Sequence, residues 1–253
     1  MPQNIRLNDI LGLARRHGKV TTDSLANSFG VTVQTARRDL NALCVAGHLV
    51  RVYGGAILPS GTQNIGHDDR IVLHSDGKDR MAAAVSRRIP DGASVFLDIG
   101  TTLEAVARRL SEHRDLLVVT NNLHAGNALA NAPGVDLILT GGLLRPSDGG
   151  LVGETTAEFV RQFRPDYALL GASAISDDGD ALDYDFREVR VAQTVIGLAR
   201  HSYLMADHSK FARSAPVRIG QVADFDAFVT DAPPPERLAD LCRQGVCEIV
   251  IAA

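Results

Sequence analysis

Two sets of residues in this chain have the types and spacing to act on a phosphate-bearing partner. The first is VTVQTARRDLNAL at 31–43. At about 100° per residue, Val33, Ala36, Leu40 and Leu43 share one side of a helix, while Gln34, Thr35 and Arg38 point nearly the opposite way. Glutamine pairs bidentately with adenine and arginine with guanine, so a helix front of this kind can read base edges. Arg37, turned toward the flank, suits a backbone phosphate.

The second set is four short runs. Asp98-Ile99-Gly100-Thr101-Thr102 places a glycine and two hydroxyls where a helix opens, leaving N–H groups at its positive end as an anion site. Thr120-Asn121-Asn122, Gly141-Gly142 with Arg145, and Asp207-His208-Ser209-Lys210 each follow an apolar run. Open α/β sheets bind ligands at such strand ends. Thr-Asn-Asn alone reads as an ordinary turn, but the four runs together point to a site. Lysine usage agrees. Only Lys19, Lys78 and Lys210 occur among 26 cations, and two of the three stand beside these runs. A lysine is a compact point charge suited to a phosphate.

The elements that position the first set fill residues 1–56. A helix carrying Ile5, Leu7, Ile10, Leu11, Leu13 and Ala14 is expected to end near His17-Gly18. Thr22 is expected to cap a helix through Phe29, Gly30 makes a turn, and Thr32 caps the polar-fronted helix. That order is a helix-turn-helix. Gly47 breaks the last helix, and HLVRVYGGAIL alternates as a hairpin closed near Tyr53-Gly54-Gly55, a wing on which Arg51 and Tyr53 are backbone-contact candidates. Residues 1–60 hold seven Lys or Arg against three acids, a net of +4, so the rest of this −4 chain carries −8. A basic head on an acidic body suits a module for a polyanion joined to one that is not.

Residues 57–75 mix Pro, Gly, Asn and Asp without periodicity and read as a linker. From 76 to 253, a helix at Lys78–Arg88 precedes the runs SVFLD, LLVVT, VDLILT, YALLG, SYLMAD and FDAFVT, alternating with LEAVARRL, AEFVRQF and REVRVAQTVIGLA. Apolar strands alternating with amphipathic helices imply a parallel sheet covered on both faces, a Rossmann-like α/β domain. GxGxxG and GxxxxGK[ST] are both missing, and Gly171-Ala172-Ser173-Ala174-Ile175 lacks the second glycine of a nucleophile elbow. Cys44, Cys242 and Cys247 have no CxxC spacing and are expected as small core residues; His67-Asp68-Asp69 reads as solvated linker, and no metal is expected. The start MPQNIRLNDI lacks a signal-peptide run and no 18-residue apolar stretch occurs, which implies a cytoplasmic protein without a membrane partner.

TTDSLANSFGVTVQTARRDLNAL followed by GHLVRVYGGAIL resembles the DNA-binding head of the DeoR family of bacterial repressors, chiefly through the Arg-Arg-Asp-Leu core and the paired glycines after the wing. The body resembles the ribose-5-phosphate isomerase fold on which that family's sensor domains are built. The resemblance implies a winged helix-turn-helix reading double-stranded operator DNA through Thr32, Gln34, Thr35, Arg37, Arg38, Arg51 and Tyr53. It also implies effector contacts at Lys78, Asp98, Gly100, Thr101, Thr102, Asn121, Gly142, Asp207 and Lys210, no cofactor, and a dimer or tetramer. Those isomerases need an acid–base carboxylate within the segment matching GASAISDDG, where Ser173 stands here, so binding without turnover is expected. RPSDGGLVGE and DYDFREVR carry the likeness that implies sn-glycerol 3-phosphate as effector, with another sugar phosphate, or an isomerase-like enzyme, as the alternatives.

Overall fold

A computed structural model of the protein describes residues 3–17, 19–46, 48–57 and 64–252. Gly18 and Gly47, expected to end helices, and residues 58–63 of the expected linker lie outside the described residues. The chain divides into two units, 1–73 and 74–253.

In the first unit, helices Gln3–His17, Thr22–Phe29 and Val33–Val45 close over Ile10, Ala14, Leu25, Leu40 and Leu43. The cap of the second helix is Thr21 rather than Thr22: the Thr21 hydroxyl accepts from the Ser24 N–H, and the Ser24 side chain accepts from the Thr21 N–H. Thr22 instead donates its hydroxyl and its N–H to the Gly54 carbonyl, tying the helix start to the wing turn. Gly30 takes the left-handed conformation at φ 61° and makes the turn between the two helices. The wing has a third strand that periodicity did not show. Lys19–Thr21 pairs with Gly55–Ile57, which pairs in turn with Val50–Val52. A Cβ on Gly55 would lie 2.0 Å from the Val20 carbonyl oxygen, so glycine is what lets these strands close. Within the expected linker, His67–Val72 form a six-residue helix with His67 buried.

In the second unit, seven strands form one parallel sheet in the spatial order Glu248–Ile251, Ala227–Thr230, His201–Met205, Tyr167–Gly171, Ser94–Leu97, Leu116–Thr120, Val135–Leu139. Alternate residues serve opposite faces: Phe96, Leu170, Leu204 and Phe228 pack into one core, and Val95, Leu97, Leu169, Met205 and Val229 into the other. This is the doubly covered sheet that the apolar runs implied. The edge strand Glu248–Ile251 escaped notice because it is short and only partly buried. The expected helix at Lys78–Arg88 runs instead from Ser75 to Ser86, starting right after His74, a non-glycine residue in the left-handed region. From Ser94–Leu97 the chain steps outward to one edge, then returns to the other side of that strand with Tyr167–Gly171. This reversal is a topological switch point, and such sheets bind ligands beyond it. Among the described residues no helix is long and apolar enough to cross a membrane.

Candidate functional sites

The front of Val33–Val45 presents polar side chains to solvent. The Thr32 hydroxyl accepts from the Thr35 N–H, fixing the helix start, and Gln34, Arg37 and Arg38 stand exposed. Thr35 is only partly exposed, and its hydroxyl lies 2.9 Å from that of Thr32. Val33, expected inward, is 40% exposed because it occupies the first helical position, ahead of the turn that meets the core. On the wing Tyr53 is exposed at the tip, whereas Arg51 is partly buried with its charge near Cys44. Sequence reading passed over Asp39. Fully buried on the back of the helix, it accepts a 2.5 Å hydrogen bond from Arg6 Nε of the first helix. A charge at a buried helix position is the signal that could have found it.

The other nine candidate residues fall into two clusters at the carboxyl end of the sheet. The first surrounds Asp98, directly beyond Ser94–Leu97. Gly100 precedes helix Thr101–Leu110 at φ 137°, and no side chain caps that helix, so its first N–H groups keep their pull on an anion. Thr101 and Thr102 are buried beside it. Burial pushes the Asp98 carboxyl up to about 7; the Asp183 charge adds to the rise, while hydrogen bonds from the Ile99 N–H and the Asn121 side chain oppose it. Asp98 Oδ1 and Asn121 Oδ1 are buried without a hydrogen-bond partner. Asn122 shapes the backbone instead, since its Oδ1 accepts from the His124 and Ala125 N–H groups as a helix cap. At Gly142, φ 138°, a Cβ would meet the Thr156 hydroxyl at 1.9 Å, and that hydroxyl donates to the Gly141 carbonyl.

Arg145 organises the acids around this cluster. It holds Asp148 bidentately at 2.8 Å through Nε and Nη2, Asp185 at 2.8 Å through Nη1, and Glu188 through Nη2. Burial opposes its charge, but the Asp148 hydrogen bonds and the Glu188 charge outweigh that and hold its pKa above the ordinary range. Burial would raise Asp185, yet hydrogen bonds from Arg187 and Arg145 keep it at about 2. Glu188 is pushed well above the usual carboxylate range by burial and by the Asp183 charge. Asp183, also buried, accepts from the Ser173 hydroxyl at 3.0 Å. Reading by segments did not assign Asp183, Asp185 or Glu188 a role; the bonds of the last two to Arg145 span 40 residues or more.

The second cluster lies at the ends of His201–Met205 and Ala227–Thr230, separated from Ser94–Leu97 by the strand Tyr167–Gly171. Burial works to raise Asp207, but Lys210, a hydrogen bond from the Ser209 side chain, His74 and Lys78 outweigh it and hold the carboxyl below its ordinary value. Lys78 is buried, in the first turns of Ser75–Ser86. The structure adds three groups here: His74, His208 and Asp231. Asp231 accepts from the His208 N–H at 2.7 Å and lies 2.9 Å from its Nδ1.

Residues 73–232 match the family described as the DeoR C terminal sensor domain, and residues 6–62 match the DeoR-like helix-turn-helix domain. The chain belongs to the DeoR family. It is similar to the glycerol-3-phosphate regulon repressor of Escherichia coli strain K12, 45% identical over 235 residues that cover 93% of each chain. The repressor of the same description from Haemophilus influenzae is 41% identical over 251 residues, 99% of this chain and 98% of that one. Among solved structures, ribose-5-phosphate isomerase from Methanocaldococcus jannaschii aligns with 54% of each chain at 15% identity and a TM-score of 0.40. For this DeoR-family chain, then, the first unit is a helix-turn-helix DNA-binding domain and the second a sensor domain.

Proposed function

We propose that this DeoR-family protein represses genes of glycerol and glycerol 3-phosphate metabolism, and that sn-glycerol 3-phosphate binding in the second unit lowers its affinity for operator DNA. The observation that carries the reading is 41–45% identity to glycerol-3-phosphate regulon repressors over nearly the whole chain. The geometry supports it. An uncapped helix start at Gly100 accepts a phosphate, Lys78 and Lys210 bring cations to the neighbouring strand ends, and the buried acceptors Asp98 Oδ1 and Asn121 Oδ1 suit ligand hydroxyls. Gln34 and Arg38 read bases, with Arg37, Tyr53 and Arg51 on the DNA backbone. One winged head spans too short a site for useful specificity, so the working form is a cytoplasmic homo-oligomer, a dimer or tetramer. Ser173 in place of an acid–base aspartate argues against isomerase turnover.

The test is release of a fluorescent operator, first selected from random duplexes, on titration with glycerol 3-phosphate, glycerol and fructose 6-phosphate. Release by glycerol 3-phosphate alone is expected. It needs about a 100-fold difference in affinity between free and DNA-bound protein, roughly 2.7 kcal/mol, within reach of a few charge-assisted hydrogen bonds. Release by glycerol would remove the phosphate from the argument. Release by fructose 6-phosphate alone would keep a sugar-phosphate repressor and overturn the effector.

A further inference from the structure

We infer that His74, Asp207 and His208 form a binding site for a divalent transition metal of the zinc type. One ligand atom from each lies within 4.8 Å of the other two. Donors around a bound zinc sit about 2.0–2.2 Å from the ion and hence roughly 3–4 Å from one another, so a small inward movement completes the set. His74 and Asp207 are 133 positions apart in the chain, which is why no spacing rule revealed them.

Three further features fit a ligand set. Asp231, its side chain only 5% exposed, lies 2.9 Å from His208 Nδ1 and also accepts the His208 backbone N–H. A carboxylate on one ring nitrogen keeps the proton there and leaves Nε2 as a lone-pair donor, which is how metal-binding histidines are oriented. Gly77 makes room for that carboxylate: a Cβ there would lie 2.4 Å from Asp231 Oδ2. His74 is held at φ 56° and ψ 35°, a conformation that residues with a side chain rarely take, and such backbone gathers at binding sites. His208 is about half exposed, so the site opens to solvent.

The cations nearby set the affinity. Asp207 feels Lys210 and Lys78, and His74 feels Arg213. An incoming ion competes with those charges for Asp207, which makes binding weaker than at a closed structural zinc site, and reversible. Two imidazoles and one carboxylate leave coordination positions for water or for an anionic ligand.

The test uses the full chain without a histidine tag, titrated with Zn2+ by calorimetry and with Co2+ by visible absorption, in the absence of any phosphorylated compound. One ion per chain is expected, with a cobalt spectrum of nitrogen and oxygen ligation. His74→Ala and His208→Ala should each weaken binding at least ~10-fold, and Asp231→Asn about 10-fold. Thermal melts of the metal-free variants establish that they fold; should one fail to, His74→Gln and His208→Gln replace it. Lack of saturable binding, or an affinity untouched by both histidine changes, would overturn the site. So would a cobalt spectrum with thiolate charge transfer, which would put the ion on Cys242 and Cys247. Because no effector enters the measurement, its failure leaves the glycerol 3-phosphate reading standing, and the reverse holds.

Discussion

The two units solve recognition in opposite ways. In the head, Gln34, Arg37 and Arg38 are exposed on a helix whose back is pinned by a buried ion pair. In the body, the candidate groups are themselves buried, and beside burial their charges are shifted by neighbours most of which lie far away in the chain: Asp98 by Asp183 and Arg145, Asp207 by His74 and Lys78 as well as by the nearby Lys210. DNA is a large, charged, rigid partner that can come to a surface, and most of the affinity is phosphate electrostatics. A small ligand must be enclosed, so its site has to keep polar groups ready inside the protein. Substitutions in the head should therefore act on a contact, and substitutions in the body on a network.

The largest expected effect tests the exception in the head. Asp39 is wholly buried, so Asp39→Ala takes that carboxylate away from the Arg6 guanidinium on the back of the recognition helix. We expect loss of operator binding together with loss of the head's own melting transition, while the body's transition is unchanged. Full operator binding by this variant would mean that the pair does not position the helix.

Next come the front residues. Arg38→Ala should cost about 1–3 kcal/mol of operator preference per site, and Arg37→Ala should weaken all DNA while reducing the salt slope by roughly one per head. Equal losses on operator and random duplex for both variants would leave the head merely basic and erase the distinction between reading and holding. Anisotropy titrations across salt concentrations read both quantities.

The same contrast explains what was legible before the structure. The recognition helix and the covered parallel sheet follow from local periodicity, and both are present. The strand-end motifs were visible for the same reason: each directly follows an apolar run. What stayed hidden depended on long-range pairing. The strand Lys19–Thr21 exists because Gly55 admits its backbone, Arg145 gathers Asp185 and Glu188 from a helix start 40 or more residues away, and His74 meets Asp207 only in the fold. Thr21 was missed as a cap because neighbouring threonines look alike until one is bonded to Ser24 and the other to Gly54.

In the body, Asp98→Asn tests whether burial of charge is the price of a ready site. The folded-state pKa of Asp98 is raised from 3.8 to about 7, so its stabilising, protonated form is complete below about 4 and is lost as pH rises through 7. Asparagine mimics the protonated acid. The variant should therefore melt higher than wild type at pH 8, by the few degrees that follow from about 1–2 kcal/mol, with the gain shrinking toward pH 5. A loss of stability at pH 8 would show an ionised, satisfied carboxylate and place the body in the same class as the head. Effector-driven release should weaken in this variant at either pH.

The smallest effect decides what Thr35 does. Its hydroxyl is 2.9 Å from that of Thr32, and its N–H donates to Thr32, so the residue is already committed to the helix start. Thr32→Ala removes the cap and should cost about 1 kcal/mol of head stability, with a modest weakening on every duplex. Thr35→Ala keeps the backbone bond and loses only the hydroxyl contact, so it should cost less than that and leave the order of preferred operators unchanged. Selection of bound duplexes from a random pool would show it. If Thr35→Ala relaxed one base position as Arg38→Ala does, the hydroxyl would belong to the reading surface, and its contact with the Thr32 hydroxyl would have to be one it gives up on meeting DNA.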